Sequence, residues 1–146
     1  MGNNWELAHA GLVVRDMDKT VEYYRSLDIG AEMGSEWIGD NKSQVVTRYG
    51  KVADTEEEKV RIRNIQIGPL SLLLNQPLEG KTHQQDFLDK NGGDGINHIA
   101  FYVDDLKSER AKLVAEGIQI MFEVEGNSYF DTREAGNVVI QLLQRE

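Results

Sequence analysis

The chain has 146 residues, a net charge of −9, three histidines and no cysteine. That length holds one domain with a real core, while the missing cysteines exclude disulfides and thiolate metal sites. The acidic balance argues against nucleic acid and anionic lipid as partners. No apolar run approaches the ~18 residues of a membrane span. The start "MGNNWELAH" lacks a basic segment followed by an apolar one, so no secretory leader is expected. Glu6 stands where a myristoylation motif needs Ser or Thr. These features predict a cytoplasmic protein.

In chain order, "LAHAGLVVRDM" (7–17) reads as a strand carrying His9 and then a helix start capped by Asp16. Met17, Val21, Tyr24 and Leu27 recur at helical spacing, and Gly30 is expected to end that helix. "AEMGSEWI" (31–38) reads as a strand. About twenty extra residues follow, from Asp40 to Lys59, in which "DTEEEK" is a charge run expected to be a solvated face or loop. "KVRIRNIQI" and "LSLLLNQ" read as strands joined by the turn at Gly68-Pro69, with Pro77 closing the second. A linker predicts a short helix carrying Phe87 and Leu88, with His83 on the surface, then a glycine-rich turn. "DKNGGDG" precedes a strand instead of opening a helix, so it is not a phosphate loop.

The pattern then begins again. "GINHIAFYVDD" (95–105) carries His98, and Asp105 caps a helix with Leu106, Leu113 and Val114 that stops at Gly117. "IQIMFEV", "NSYFDT" and "NVVIQLLQ" read as strands. A shift of 89 residues lays His9 on His98, Val14 on Val103 and Asp16 on Asp105. The reading is a single α+β domain over 1–146 made of two tandem βαβββ modules. Module one covers about 5–78, the linker 79–94 and module two 95–146. Their concave faces are expected to form a curved mixed sheet around a cleft. Residues i, i+2 and i+4 of a strand share a face. His9 therefore sits with Gly11 and Val13, and His98 with Ala100 and Tyr102. Gln141 stands in an otherwise apolar strand, where a buried amide without partners would cost about 1–3 kcal/mol.

With these motifs in view, the chain resembles the vicinal oxygen chelate superfamily, which includes glyoxalase I, extradiol dioxygenases, resistance proteins and methylmalonyl-CoA epimerase. It is most similar to the methylmalonyl-CoA epimerase and lactoylglutathione lyase-like branch. "LAHAGLVVRDMDKTVEYYRSLDIG", "FLDKNGGDGINHIAFYVDDLKSERAKLVAEGIQI" and "GNVVIQLL" carry the resemblance. It implies a metal held by one ligand from each of four strands, on this chain His9, His98 and Gln141. The remaining ligand position falls on Leu73, or on Ser71 or Asn75 if the alignment slips by two.

Leucine cannot bind a cation, and no carboxylate remains to offset an ion's charge. The resemblance thus implies a weakened or absent site, suited to Zn²⁺, Ni²⁺ or Co²⁺ rather than to Mg²⁺ or Ca²⁺. Both usual positions for a catalytic carboxylate are altered, leaving Asp131, Tyr129 and Glu36 as substitutes for moving a proton. Asp131 also fits a plain turn residue. Leu73, Ser71, Asn64, Tyr102 and Trp37 are the candidate substrate-lining residues. Arg61 and Arg63 share a strand face opposite Asn64 and Gln66, and either face could line the cleft. The implied activity is a lyase or isomerase acting on a small carbonyl, oxo-acid or thioester compound. The alternative is a non-catalytic small-molecule binder. The resemblance also implies a homodimer.

Overall fold

The computed structural model describes residues 3–30, 32–40, 44–54 and 58–146, with the backbone alone at 32, 33 and 35. Among the described residues the strands are β1 (Glu6–Val13), β2 (Glu32–Gly39), β3 (Thr47–Arg48), β4 (Lys51–Val52), β5 (Lys59–Ile67), β6 (Leu70–Glu79), β7 (Gly95–Val103), β8 (Ile120–Val124), β9 (Asn127–Phe130) and β10 (Val139–Gln144). The helices are α1 (Met17–Ser26), α2 (His83–Asn91) and α3 (Leu106–Ala115). The chain forms two compact units. One takes the described residues of 9–40 and 55–97. The other takes those of 1–8, 41–54 and 98–146. We call them the His9 unit and the His98 unit.

In the His9 unit the strand order is β2-β5-β6-β1, with β1 parallel to β6 and the other neighbours antiparallel. The His98 unit repeats this order as β8-β9-β10-β7, with β7 parallel to β10. The α+β fold of two βαβββ modules is present as expected. Each unit packs its helix on one face of its own strands. Met17 and Val21 of α1 join Ala10, Ile65, Leu72 and Leu74 in one core. Leu106 of α3 joins Val103, Phe130 and Leu142 in the other, with Trp5 and Phe101 against it.

The repeat extends to the helix starts. Asp16 Oδ1 accepts from Lys19 N at 3.1 Å, and Asp105 Oδ1 accepts from Ser108 N at 3.1 Å. One residue beyond each cap, Met17 N donates to Gln76 Oε1 at 2.8 Å and Leu106 N donates to Gln144 Oε1 at 2.9 Å. A glutamine on the closing strand of each module thus satisfies an otherwise orphaned helix amide, a device not read from the sequence. Asp16→Ala and Asp105→Ala are each expected to lower unfolding free energy by about 1 kcal/mol, measured by urea denaturation.

Three sequence expectations change. α1 ends at Ser26, and the left-handed turn after it already begins at Asp28 (φ 56°), before Gly30 (φ 69°). The extra segment, whose structure the sequence leaves open, carries two short strands among its described residues. Its hairpin β3–β4 extends the His98 unit by pairing Thr47 with Glu123 and Arg48 with Phe122, and Val46 is buried. In the charge run, Glu58 is buried rather than solvated, while 55–57 lie outside the described residues. His83 opens α2 half-buried instead of on the surface.

On the helix side of the His98 unit, Arg110 Nε and Ser128 Oγ each donate to Glu123 Oε2 at 2.7 Å. Burial alone would raise the Glu123 carboxyl, but these hydrogen bonds outweigh it and hold it below the usual range. A depressed folded value gives stabilisation that is complete above the ordinary carboxylate pKa of about 4.3 and fades as pH falls through the lower folded value. Glu123→Gln should therefore lower stability at neutral pH and flatten the decline below about pH 4, seen in denaturation series across pH.

Candidate functional site

The strand pairings decide which side chains share a face. In the His98 unit, Val139 stands opposite His98, Gln141 opposite Ala100 and Leu143 opposite Tyr102. Gln141 also stands opposite Tyr129, and Tyr129 opposite Phe122. All of these lie on the face away from α3. His98 and Tyr129 meet edge-on at 5.2 Å, and Tyr129 meets Phe122 at 5.6 Å. Arg48 covers the Phe122 ring at 5.6 Å. Gln141 Nε2 donates to Asn127 Oδ1 at 2.8 Å. His98 is 2% exposed and Gln141 3%. Gln141 Oε1 is buried and accepts no hydrogen bond among the described residues.

Burial pushes the Tyr129 phenol well above its ordinary value, so it stays protonated and able to donate at neutral pH. Asp131, the other catalytic candidate, lies just beyond β9. Arg133 grips it with Nε on Oδ1 and Nη2 on Oδ2, both at 2.9 Å. Those hydrogen bonds hold its carboxyl below the usual range. Asp131 is ionised at neutral pH and correspondingly weak as a base.

In the His9 unit the corresponding face carries His9, Gly11 and Val13 of β1. Leu73 stands opposite Gly11 and Asn75 opposite Val13. Asn64 stands opposite Leu73, Gln66 opposite Ser71, and Trp37 opposite Ile62. Ser71 Oγ donates to Asn64 Oδ1 at 2.6 Å. Leu73, Ser71, Asn64 and Trp37 therefore share the face of His9, whereas Tyr102 shares that of His98. Tyr102 and Trp37 are both partly exposed, at 40% and 45%.

Glu36 belongs elsewhere. It stands opposite Arg63 and is ion-paired with Arg61, which also reaches Asp18 of α1 at 2.8 Å. Successive strand residues point to opposite faces, so Glu36, Arg61 and Arg63 lie on the helix side, away from His9. Neither Glu36 nor the arginines serve the candidate face.

Under the internal repeat, Gly11 matches Ala100. Gly11 is paired with Leu73 and Ala100 with Gln141. Leu73, not Ser71 or Asn75, therefore occupies the position equivalent to Gln141. Among the described residues no three His, Asp or Glu side chains come together as a metal ion requires. The residues present do not fit the full metal set implied by the resemblance, and no step is assigned to a metal. Asn127, Phe122 and Arg48 of the same wall were not read from the sequence. The alternation of Phe122, Asn127 and Tyr129 carried a signal for the first two. Arg48 carried none, because its strand has only two residues.

Residues 8–136 match the profile of the glyoxalase/bleomycin resistance protein/dioxygenase superfamily. The chain belongs to this superfamily. The human mitochondrial methylmalonyl-CoA epimerase is 22% identical over 153 residues, covering 98% of this chain and 77% of that protein. The crystal structure of methylmalonyl-CoA epimerase from Mycobacterium tuberculosis has a TM-score of 0.68 at 23% identity, covering 97% of this chain and 88% of that one. A hypothetical protein from Bacillus halodurans C-125 has a TM-score of 0.69 at 22% identity, covering 99% and 96%. At these identities the structures show the shared glyoxalase fold. No helix of this superfamily member, among the described residues, is long and apolar enough to cross a membrane.

Proposed function

We propose that the chain is a glyoxalase-type lyase or isomerase that moves a proton beside the carbonyl of a small oxo-acid, thioester or related compound. The observation that carries this reading is the buried His98 ring set edge-on against the Tyr129 phenol, on one wall with Gln141. A neutral phenol and an imidazole can donate to a carbonyl oxygen as negative charge grows on it. In a water-poor setting such donors stabilise an enolate far better than in bulk water. Asp131 is the candidate for accepting the carbon-bound proton. Its Arg133 clamp keeps it ionised but lowers its basicity, which favours substrates with acidic C–H bonds.

Deuterium exchange tests this reading. The protein, purified without added metal, is incubated in D₂O with a panel of thioesters, 2-oxo acids and hemithioacetals, followed by proton NMR. Exchange or conversion above the uncatalysed rate is expected for at least one class, and is expected to fall in Tyr129→Phe and Asp131→Asn. No exchange across the panel would overturn the catalytic reading.

A second reading is favoured by one observation, the leucine that stands where the repeat places Gln141 in the other module. An apolar side chain there suits a small-molecule binder without turnover. It predicts ligand binding in calorimetry with no exchange. We also propose a homodimer, from the resemblance, tested by light scattering.

A further inference from the structure

We infer that the wall of the His98 unit recognises an uncharged organic ligand through a hydroxyl or N–H that donates to Gln141 Oε1. The inference rests on the reading that this wall is the ligand-binding one. Native structures leave very few buried polar atoms unpartnered, and each exception calls for a cause. Gln141 is 3% exposed, its amide nitrogen is committed to Asn127 Oδ1 at 2.8 Å, and its oxygen accepts nothing among the described residues. A carbonyl oxygen is an acceptor only, so what completes it must be a donor.

Charge narrows the class. A carboxylate or phosphate would set negative oxygen against the Gln141 carbonyl. A cation needs compensating negative charge. The strand positions sharing this face on β7, β8, β9 and β10 include no Asp or Glu, the Asp131 carboxylate just beyond β9 is already matched by its Arg133 clamp, and Arg48 over Phe122 adds positive charge. The small Ala100 beside Gln141 and the Tyr129 and Phe122 rings suit the apolar body of such a molecule. The equivalent residue of the other module, Leu73, offers no acceptor, so this recognition belongs to one copy of the repeat.

Three probes of one shape separate the possibilities: phenylacetamide (a neutral donor), methyl phenylacetate (neutral, no donor) and phenylacetate (an anion). Each is titrated into wild type and Gln141→Leu, with ¹⁵N-resolved NMR reading the Gln141 side-chain amide. Phenylacetamide should shift that signal in wild type and bind at least tenfold more tightly than the other two. Gln141→Leu should weaken it at least tenfold. Equal affinity for all three, no binding of phenylacetamide, or unchanged affinity in Gln141→Leu would overturn the inference. Stoichiometric Ni²⁺ or Zn²⁺ binding that disappears in Gln141→Leu would overturn it as well. The wild-type ranking decides the matter even if the variant fails to fold. Selective phenylacetamide binding without turnover supports the inference and sinks only the catalytic reading. Turnover without that selectivity sinks the inference alone.

Discussion

Gly30→Ala is expected to destabilise the protein by about 3 kcal/mol, measured by urea or thermal unfolding. Gly30 has φ 69°, where a Cβ costs about 1–2 kcal/mol through its clash with the carbonyl oxygen. A Cβ built there lies 2.3 Å from Ile65 Cγ2, far inside contact distance. Ile65 is fully buried among Met17, Val21 and Leu72, so displacing it disturbs the packed core, and overpacking adds about 1–3 kcal/mol. Gly117 is the control. It also has positive φ, at 86°, but an added Cβ meets nothing within 4 Å. Gly117→Ala should therefore cost only the backbone share, about 1–2 kcal/mol. Equal losses at the two positions would show that the Ile65 contact contributes nothing.

His98→Ala is expected to lower kcat/KM by at least about a hundredfold on whichever substrate the exchange screen identifies, within the usual range for a positioned proton-transfer or donor group. The ring is 2% exposed and packs edge-on against Tyr129. Its loss also removes a buried contact, and some destabilisation accompanies it. Activity is therefore compared at a temperature where circular dichroism shows both proteins folded. Tyr129→Phe separates chemistry from packing, because it keeps the ring contacts with His98 and Phe122 and removes only the hydroxyl. If His98→Ala loses rate while Tyr129→Phe does not, the imidazole alone meets the substrate. If neither loses rate, the wall is not where turnover occurs.

Much of the fold was legible because the chain states it twice. The matched pairs His9 with His98 and Asp16 with Asp105 set the repeat, and the shared strand order and cap geometry agree with it. Alternation separated Asn64 from Arg61 and Arg63, since a regular strand assigns sides by parity alone, but it left open which of those faces His9 shares. It could not say which of Ser71, Leu73 or Asn75 answers to Gln141. That depends on pairing with Gly11, a contact between residues far apart in the chain. Glu36 was offered as a proton carrier beside Trp37, yet neighbours on a regular strand point to opposite faces, and its pairing with Arg61 and Arg63 sets it on the helix side. The hairpin at Thr47–Val52 was missed because two-residue strands have no periodicity, and it is fixed by β8 much later in the chain.

Each module ends by laying its last strand parallel against its first, with Ala10 meeting Leu72 and His98 meeting Val139. Closing such a loop costs entropy before any of its hydrogen bonds form, and topologies of this kind fold slowly. On the ribosome, the opening strand of the His9 module has no β6 to pair with until residue 72 and its neighbours have been made. The loop from residue 98 to residue 139 is shorter, so the second copy reaches closure after less synthesis than the first.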